Sequence, residues 1–210
     1  MSIIIRVKYK KKDEVKYVGH LDTMRTFMRC LKRTNLPLEY SKGFNPRIQI
    51  SFALPLGVGV TSDSEYFDLE LADRINKDLF IGELNSTLPD GFRIVEAFYP
   101  EDPKKSLMSL VKEAIYSIKI NEDIDFDAIK ELFEKEEIIV SKKSKDKKAE
   151  QSINIKSGII DFKVEGNEVV FHVYAGSNNN LNPASIIEAI CKHVKEIEDY
   201  DVCRKELILK

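Results

Sequence analysis

Along the first half of the chain, segments whose apolar residues have the spacing of a strand occur among segments whose apolar residues have the spacing of a helix. Alternation of apolar and polar positions predicts strands, and apolar residues three or four apart predict helices. The helix after the first strand carries its apolar residues at Leu21, Met24, Met28 and Leu31. The predicted order is strand Ile3–Tyr9, helix Leu21–Thr34, strands Ile48–Phe52 and Tyr66–Leu71, helix Ile75–Leu88 after an Asp73 cap, and strand Phe92–Phe98.

The second half repeats this order of elements. Its second helix is expected to begin after Asn182, which caps it, with Pro183 at the first helical position. The predicted elements are strand Ala114–Ile120, helix Phe126–Phe133 behind Asp125, strands Ile138–Ser141 and Val169–Tyr174, the helix after Asn182, and strand Glu206–Leu209.

This doubled order predicts an α+β protein built from tandem ferredoxin-like (βαββαβ) units with antiparallel sheets. Pro100 and Pro103 interrupt any regular element, so the boundary is expected near them. The first unit then spans residues 1–103 and carries the basic region, and the second spans residues 104–210. A run of Lys and Ser within the second unit predicts a charged loop near residues 141–151.

The charge is unevenly distributed along the sequence. Residues 1–50 contain 12 Lys or Arg and 4 Asp or Glu, a net charge of +8, so the remainder must carry −10 to reach the total of −2. Such asymmetry favours a polyanionic partner, nucleic acid above all, for the basic end. The alternative is a solvated basic surface that keeps a strand edge soluble. Because no apolar run has the length of a membrane helix and no signal peptide is visible, we expect a cytoplasmic protein without a membrane partner.

Four cations recur along one face of the first predicted helix, away from its apolar stripe. Like charges in such register repel one another, and rows of this kind suit phosphate groups, although a merely solvated helix face remains the alternative. Asp22 is close enough in sequence to pair only with the first of them. The predicted RNA-binding residues on this helix are Arg25, Arg29, Lys32 and Arg33.

The segment from Tyr40 to Arg47 mixes aromatic residues, cations and a turn. Unstacked bases of single-stranded RNA lie on aromatic rings while their phosphates meet cations, so Lys42 and Arg47 are predicted contacts. The alternative is that the rings fix the loop to the core, and this is the expectation for Phe44. The predicted loop and turn residues are Tyr40, Gly43, Phe44 and Asn45.

Two further features are open to more than one interpretation. Gly57 and Gly59 lack the rest of a dinucleotide or P-loop fingerprint, so they predict a strand bulge or hairpin bend rather than a nucleotide-binding enzyme. His20, at the start of the first helix, is the candidate catalytic residue as a general acid or base, but a His there can equally stabilise the turn. No metal-binding motif is visible, and His172 and His193 have no matching carboxylate pattern.

These motifs together resemble the radical SAM-linked (radical SAM-associated) family of uncharacterised bacterial proteins. The resemblance covers most of the chain and is most specific in its first third. It rests on Gly19-His20-Leu21-Asp22 with Met24-Arg25, on Arg29–Pro37, on Tyr40–Pro46, on Leu54–Gly57 leading to Ser62 and Glu65-Tyr66, and weakly on Leu181–Pro183.

The resemblance implies a module fused to, or encoded beside, a radical SAM protein that often binds cobalamin. S-adenosylmethionine, the iron–sulfur cluster and cobalamin are then expected only on that partner, because this chain lacks the Cys-x-x-x-Cys-x-x-Cys motif. The leading interpretation is an accessory protein that presents tRNA or rRNA to the radical SAM enzyme for modification. The alternatives are a metal-independent endoribonuclease using His20, since the element order also resembles tandem ferredoxin-like CRISPR RNA endonucleases, and a protein-only docking subunit.

Overall fold

The computed structural model describes residues 3–143, 150–176 and 179–210. The chain divides into two compact units. The first contains the described residues up to Val111 together with Glu206–Lys210, and the second contains Lys112–Lys205. Both combine helices with mostly antiparallel strands, which confirms the predicted α+β class. No helix among the described residues has the length and apolar character that crossing a bilayer requires.

The first unit is built on an antiparallel sheet. Its elements are β1 (Ile3–Lys11), α1 (His20–Leu31), β2 (Ile50–Phe52), β3 (Val60–Leu71), α2 (Lys77–Asn85), β4 (Phe92–Phe98) and α3 (Leu107–Leu110), with a 3-10 helix at Asp13–Tyr17. β1 lies between β4 and β3, with Val7 opposite Ala97 on one side and Phe67 on the other, and β2 pairs with the outer side of β3.

An aromatic cluster forms the centre of the first unit's core. The rings of Tyr9 and Phe27 are 4.9 Å apart, and those of Phe27 and Phe67 are 5.3 Å apart. Phe52 and Phe92 complete the group, in tilted or edge-on contacts of the kind that aromatic pairs prefer. Burial of these rings against α1 fixes the helix, and with it His20, against the sheet.

The helices of the first unit differ in detail from those predicted. α1 ends at Leu31 rather than residue 34, because the amides of Arg33 and Thr34 donate to carbonyls only three residues back, which closes a turn. Its buried residues are Thr23, Phe27, Cys30 and Leu31, whereas Leu21 is exposed. α2 is shorter than predicted and is capped by Asn76 instead of Asp73, since the Asn76 side chain accepts from the amides of Asp78 and Leu79.

The strands of the first unit begin or end near the predicted positions. β4 has the predicted bounds, and β1 continues two residues beyond the predicted end. β2 is reduced to three residues, whereas β3 begins at Val60, six residues before the predicted start. The early part of β3 carries buried Ser62, Ser64 and Glu65, so its polar composition hid a strand that is inside the protein.

The second unit has an antiparallel sheet and a separate hairpin. Its elements are β5 (Val111–Ile120), α4 (Phe126–Glu134), β6 (Ile139–Lys143), β7 (Glu150–Asn154), β8 (Ile159–Glu165), β9 (Glu168–Tyr174), α5 (Pro183–His193) and β10 (Tyr200–Leu209), of which residues 200–205 lie beside β5. β5 pairs with β9, and β9 pairs with β8, with Phe171 opposite Tyr116 and Phe162.

One predicted strand of the second unit was assigned to the wrong sheet. Residues 138–141 were expected in the main sheet, but β6 pairs only with β7 among the described strands. The place beside β9 is taken by β8, which the sequence analysis missed because its side chains alternate only weakly between partly buried and exposed. The charged loop predicted near 141–151 falls on the ends of this hairpin and on residues 144–149, which lie outside the described residues.

Two helix starts in the second unit are as predicted. Asp125 accepts from the amides of Asp127 and Ala128 at the start of α4, and Asn182 accepts from Ala184 with Pro183 at the first position of α5. Both caps satisfy amides that have no acceptor inside the helix. The last strand begins at Tyr200, six residues earlier than predicted.

Candidate nucleic-acid interface

The loop between α1 and β2 is closed at its base by backbone contacts. Tyr40 and Ile48 form an antiparallel bridge. The Ser41 amide donates to the Arg47 carbonyl at 2.8 Å, and the Arg47 amide donates to Ser41 Oγ at 2.9 Å. These bonds hold the two ends of the segment together. We call residues 40–47 the 40–47 loop, and residues 42–46 form its tip.

The tip of the 40–47 loop presents an aromatic ring to solvent. Phe44 has a relative exposure of 106%, so the expectation that it packs on the core is wrong. Lys42 and Arg47, on either side of it in the chain, are also exposed, and Tyr40 is 41% exposed. The loop thus brings together an exposed ring and two exposed cations.

The turn in this loop depends on Gly43. Its φ of +137° lies in a region that side chains rarely adopt, and a Cβ there would meet no atom within 4 Å. Glycine at position 43 is therefore needed for the backbone conformation of the turn, and not to leave space for a neighbouring atom. Asn45, predicted as a turn residue, is exposed at the same tip.

The cations predicted on α1 are exposed, but they do not all lie in the helix. Arg25 and Arg29 are within α1, and Lys32 is its C-cap residue. Arg25 donates to Asp22 at 2.8 Å, and both side chains remain more than 60% exposed. An exposed pair of this kind contributes little to stability, so Arg25 remains accessible to an anion.

Arg33 has a structural contact. It lies beyond the end of α1, and its Nη2 donates to the Thr87 carbonyl at 2.5 Å and lies 3.2 Å from Cys30 Sγ. This contact links the end of α1 to the residues that follow α2. Arg33 thus stabilises the first unit, whatever else it binds.

His20 begins α1 and lies against the aromatic core. Its ring meets Phe52 edge-on, with centroids 5.8 Å apart, and no described residue hydrogen-bonds to the ring. Burial, and then the positive charge of Lys11, lower the pKa of His20 below its usual value of 6.5. At neutral pH the ring is therefore uncharged, with a nitrogen lone pair that can accept a hydrogen bond.

Two buried charged residues, Lys11 near His20 and Glu65 near Lys11, were missed by the sequence analysis. Lys11 and Glu65 are each 2% exposed, and Lys11 Nζ donates to the Val18 carbonyl at 2.6 Å. Burial lowers the pKa of Lys11, and the nearby Glu65 carboxylate opposes that effect. The burial of Lys11 could have been predicted from the alternation of β1, because Lys11 continues the inward series of Ile5, Val7 and Tyr9.

The first turn of α1 leaves polar groups without partners. Its N-cap residue, Gly19, offers no side-chain cap, and a Cβ built on Gly19 meets nothing within 4 Å. Thr23 is 4% exposed, and its Oγ1 has no hydrogen-bond partner among the described residues. Buried hydroxyls are normally satisfied, so this one calls for an explanation.

Gly57 and Gly59 form a turn before β3, in agreement with the predicted bend. The Val60 amide lies 3.4 Å from the Gly57 carbonyl, and Gly59 has a φ of +84°. The Gly59 amide donates to the Lys16 carbonyl at 2.9 Å, which holds this turn beside the segment that leads to α1. Both glycines thus serve the local backbone path.

The second unit contains a His–carboxylate pair that the sequence analysis missed. His172 Nε2 lies 2.8 Å from Glu113 Oε2, across neighbouring strands β9 and β5. Sequence spacing gave no indication of this pair, because 59 residues separate the two. His193 Nε2 lies 3.2 Å from the Ile139 carbonyl. Within the described ranges, no group of three or more His, Cys, Asp or Glu is arranged to hold a metal ion.

Comparison with known proteins identifies a family. No protein with a curated description matches the sequence. A crystal structure described as an unknown protein from Galdieria sulphuraria is similar at 14% identity and a TM-score of 0.30, over 96% of this chain and 98% of that one. At that TM-score the similarity carries no argument about fold or function. Residues 5–183 match the family described as an uncharacterized protein conserved in bacteria (DUF2344), and the chain therefore belongs to that family.

Proposed function

We propose that this protein binds single-stranded or loop RNA and presents it to a separate radical SAM enzyme that modifies it. The observation that carries the proposal is the 40–47 loop, in which Phe44 is fully exposed and Lys42 and Arg47 are exposed beside it. A ring flanked by cations matches a base that stacks and phosphates that bind alongside.

The exposed cations of α1 support the same proposal. Arg25, Arg29 and Lys32 are solvent-accessible, and their charge adds to that of the loop. Each phosphate contact contributes affinity without reading sequence. Arg33 is a weaker candidate than the other three, because the Thr87 carbonyl already accepts from it.

The identity of the partner enters through the resemblance to radical SAM-linked proteins. In this proposal, the partner carries S-adenosylmethionine, the iron–sulfur cluster and cobalamin, and the two proteins meet in the cytoplasm. This chain supplies RNA binding and positioning. The RNA class we propose is tRNA or rRNA, whose loops offer unstacked bases.

We also infer that each unit is ferredoxin-like. The strand order β4-β1-β3 with β2 outside β3 supports this for the first unit, because β1 and β2 then run parallel with β3 between them. In the second unit, β5, β8, β9 and the first part of β10 follow the same order, and the β6–β7 hairpin is an insertion. Sheets of this topology bind RNA in RNA recognition modules, where aromatic residues on the strands stack the bases.

The test is fluorescence anisotropy with a labelled single-stranded RNA. Phe44→Ala is expected to weaken binding about tenfold, since stacking of one base on a ring contributes about 1–3 kcal/mol. The matched control is Tyr174→Ala, which removes another exposed ring, in the second unit. Equal binding by wild type and Phe44→Ala would contradict the role of the loop, and the absence of RNA binding with or without a radical SAM partner would favour a protein-only docking subunit.

A second candidate function is metal-independent RNA cleavage by His20. It is favoured by the environment of the ring, which is half-buried, has a lowered pKa and has no hydrogen-bond partner among the described residues. A neutral imidazole can accept the proton of a ribose 2′-hydroxyl. Labelled RNA incubated with pure protein in EDTA tests it, because cleavage that disappears in His20→Ala supports a nuclease and intact RNA excludes this candidate.

A further inference from the structure

We propose that the N-terminus of α1, around Gly19 and Thr23, binds a phosphate group of the RNA. This inference rests on the proposed function for its ligand class and adds a contact apart from the 40–47 loop and the exposed cations of α1. The residues that carry it are Gly19, whose missing side chain leaves space, Thr23, whose buried hydroxyl lacks a partner, and Lys11 beneath them.

The amides of the first turn are available to an anion. A helix leaves its first amides without intrahelical acceptors, and its dipole places partial positive charge there. In α4 and α5, the first amides donate to the side chains of Asp125 and Asn182. α1 has no side-chain cap. α1 is also long enough, at 12 residues, for its terminus to attract an anion.

Glycine at position 19 leaves room where a ligand would sit. Its φ is −67° and its ψ is 164°, a conformation that any residue adopts. No atom lies within 4 Å of the position of a Cβ. Neither backbone strain nor crowding therefore requires glycine here, and a capping Ser or Asp would stabilise the helix. The open space next to the free amides has the location that a phosphate requires.

Thr23 is the independent observation that points to a ligand. Its amide donates to the Gly19 carbonyl at 2.9 Å, so the two residues lie one turn apart on the same face of α1. Helical side chains tilt toward the N-terminus, which directs the Thr23 side chain back over Gly19. Its Oγ1 is buried and has no hydrogen-bond partner among the described residues, and a phosphate oxygen, or a water that the phosphate orders, would satisfy it.

Lys11 adds positive charge at the same place. Its Nζ is bonded to the carbonyl of Val18, the residue before Gly19, so a buried ammonium lies near the positive end of the helix. A cation at a helix N-terminus is unfavourable. A bound anion would offset both the ammonium charge and the partial positive charge of the helix terminus. Glu65 balances part of the Lys11 charge, and the helix terminus retains its own.

The test is a titration of the protein with inorganic sulfate or phosphate at constant ionic strength. The measured quantity is the NMR chemical shift of each backbone amide. We expect saturable shifts of residues 20–23 in the wild-type protein. Gly19→Asp places a carboxylate on the same amides, so it should raise the melting temperature and weaken anion binding at least tenfold. The matched control is Gly82→Asp, which adds the same charge at an exposed position of α2 and should leave both anion affinities unchanged.

A second pair of variants tests the buried hydroxyl. Thr23→Val should weaken anion binding several-fold, whereas Thr26→Val should not, since the Thr26 hydroxyl already donates to the Asp22 carbonyl at 2.8 Å. Absence of saturable shifts in the wild-type protein, or equal affinity in Gly19→Asp and Gly82→Asp, overturns the proposal. Lys42→Ala with Arg47→Ala should leave these shifts unchanged, so failure of this site and failure of the loop are distinguishable.

The source of the phosphate is tested with RNA. Oligonucleotides with a 5′-phosphate and with a 5′-hydroxyl are compared in wild type and in Gly19→Asp. Affinity lost only for the phosphorylated strand supports a terminal phosphate at this site, and affinity lost for both supports a backbone phosphate. Affinity lost for neither contradicts the assignment of an RNA phosphate to this site.

Discussion

At the scale of single residues, the first unit concentrates unusual polar groups around the start of α1. His20 has no hydrogen-bond partner among the described residues, and Lys11 and Glu65 are charged residues at 2% exposure. Charged groups at such burial are uncommon unless they are paired or functional. Composition did not reveal them, because burial depends on which face of β1 and β3 each side chain occupies.

The environment of His20 gives a pH dependence. We predict that NMR titration finds the His20 pKa below 6.5, and that Lys11→Met raises it, because a positive charge is removed. Between the lowered pKa and 6.5 the unfolded chain binds more protons than the folded chain, so the free energy of unfolding should rise with pH across that window. Lys12→Met is the control, since Lys12 pairs with Asp63 at 2.9 Å. A His20 pKa at or above 6.5 would contradict this description.

Thr23 gives a prediction about stability. Replacing it by Val keeps the shape and removes a buried hydroxyl without a partner. We expect the free energy of unfolding to rise by about 1 kcal/mol in denaturant titration, because the unsatisfied group is costly in the folded state. Thr26→Val, which removes a bonded hydroxyl, should bring no such gain. A loss of stability in Thr23→Val would mean that the hydroxyl has a partner after all.

At the scale of elements, turns depend on glycine in two different ways. Gly59 and Gly91 have nearly equal φ values, +84° and +88°. A Cβ on Gly59 meets nothing within 4 Å, whereas one on Gly91 would lie 2.7 Å from the Lys12 carbonyl oxygen and from a Val15 methyl. Gly91 therefore allows β1 and the start of β4 to approach closely, as the bond from the Lys12 amide to the Gly91 carbonyl at 2.8 Å shows.

This contrast predicts a difference between two matched variants. Gly59→Ala should cost about 1–2 kcal/mol, the strain of a side chain in left-handed backbone. Gly91→Ala should cost more, because the backbone of Lys12 must also move. The measurement is the midpoint of urea unfolding for each variant. Equal losses would show that the close approach at Gly91 relaxes without cost.

The sequence predicted the type of most elements and the bounds of few. Phe92–Phe98 is rich in apolar residues and follows the turn-forming run Pro89-Asp90-Gly91, so its bounds were predicted in full. Asn182 and Pro183 marked the start of α5 because capping acts locally. β8 and the early part of β3 were missed, since their pairing is with distant strands and their own patterns are weak or polar.

The candidate site was predictable to a similar degree. The cations of α1 and of the 40–47 loop could be found from composition, and most of them are exposed. The exposure of Phe44 could not, because nothing local distinguishes a ring that packs inward from one at a closed loop tip. The use of Arg33 to bind the Thr87 carbonyl also lay beyond sequence, since the contact joins residues 54 positions apart.

At the scale of the whole molecule, the proposed RNA contacts belong to the first unit. Residues 1–50, which include its 40–47 loop and α1, have a net charge of +8, whereas residues 51–111 of the same unit have a net charge of −6. Such polarity orients a polyanion toward one part of the chain. The described residues of the second unit offer the His172–Glu113 pair and no comparable set of exposed rings and cations in one loop.

The most direct test of RNA binding by the 40–47 loop is the salt dependence of affinity for a single-stranded oligonucleotide. Each phosphate contact on a single strand contributes about −0.7 to the slope of log affinity against log salt concentration. We predict a steep negative slope for the wild-type protein that becomes shallower by about 1.4 when Lys42 and Arg47 are both replaced by Ala. Arg25→Ala with Arg29→Ala should flatten it further. A wild-type slope near zero, or one unchanged in the Lys42→Ala and Arg47→Ala protein, would contradict the account.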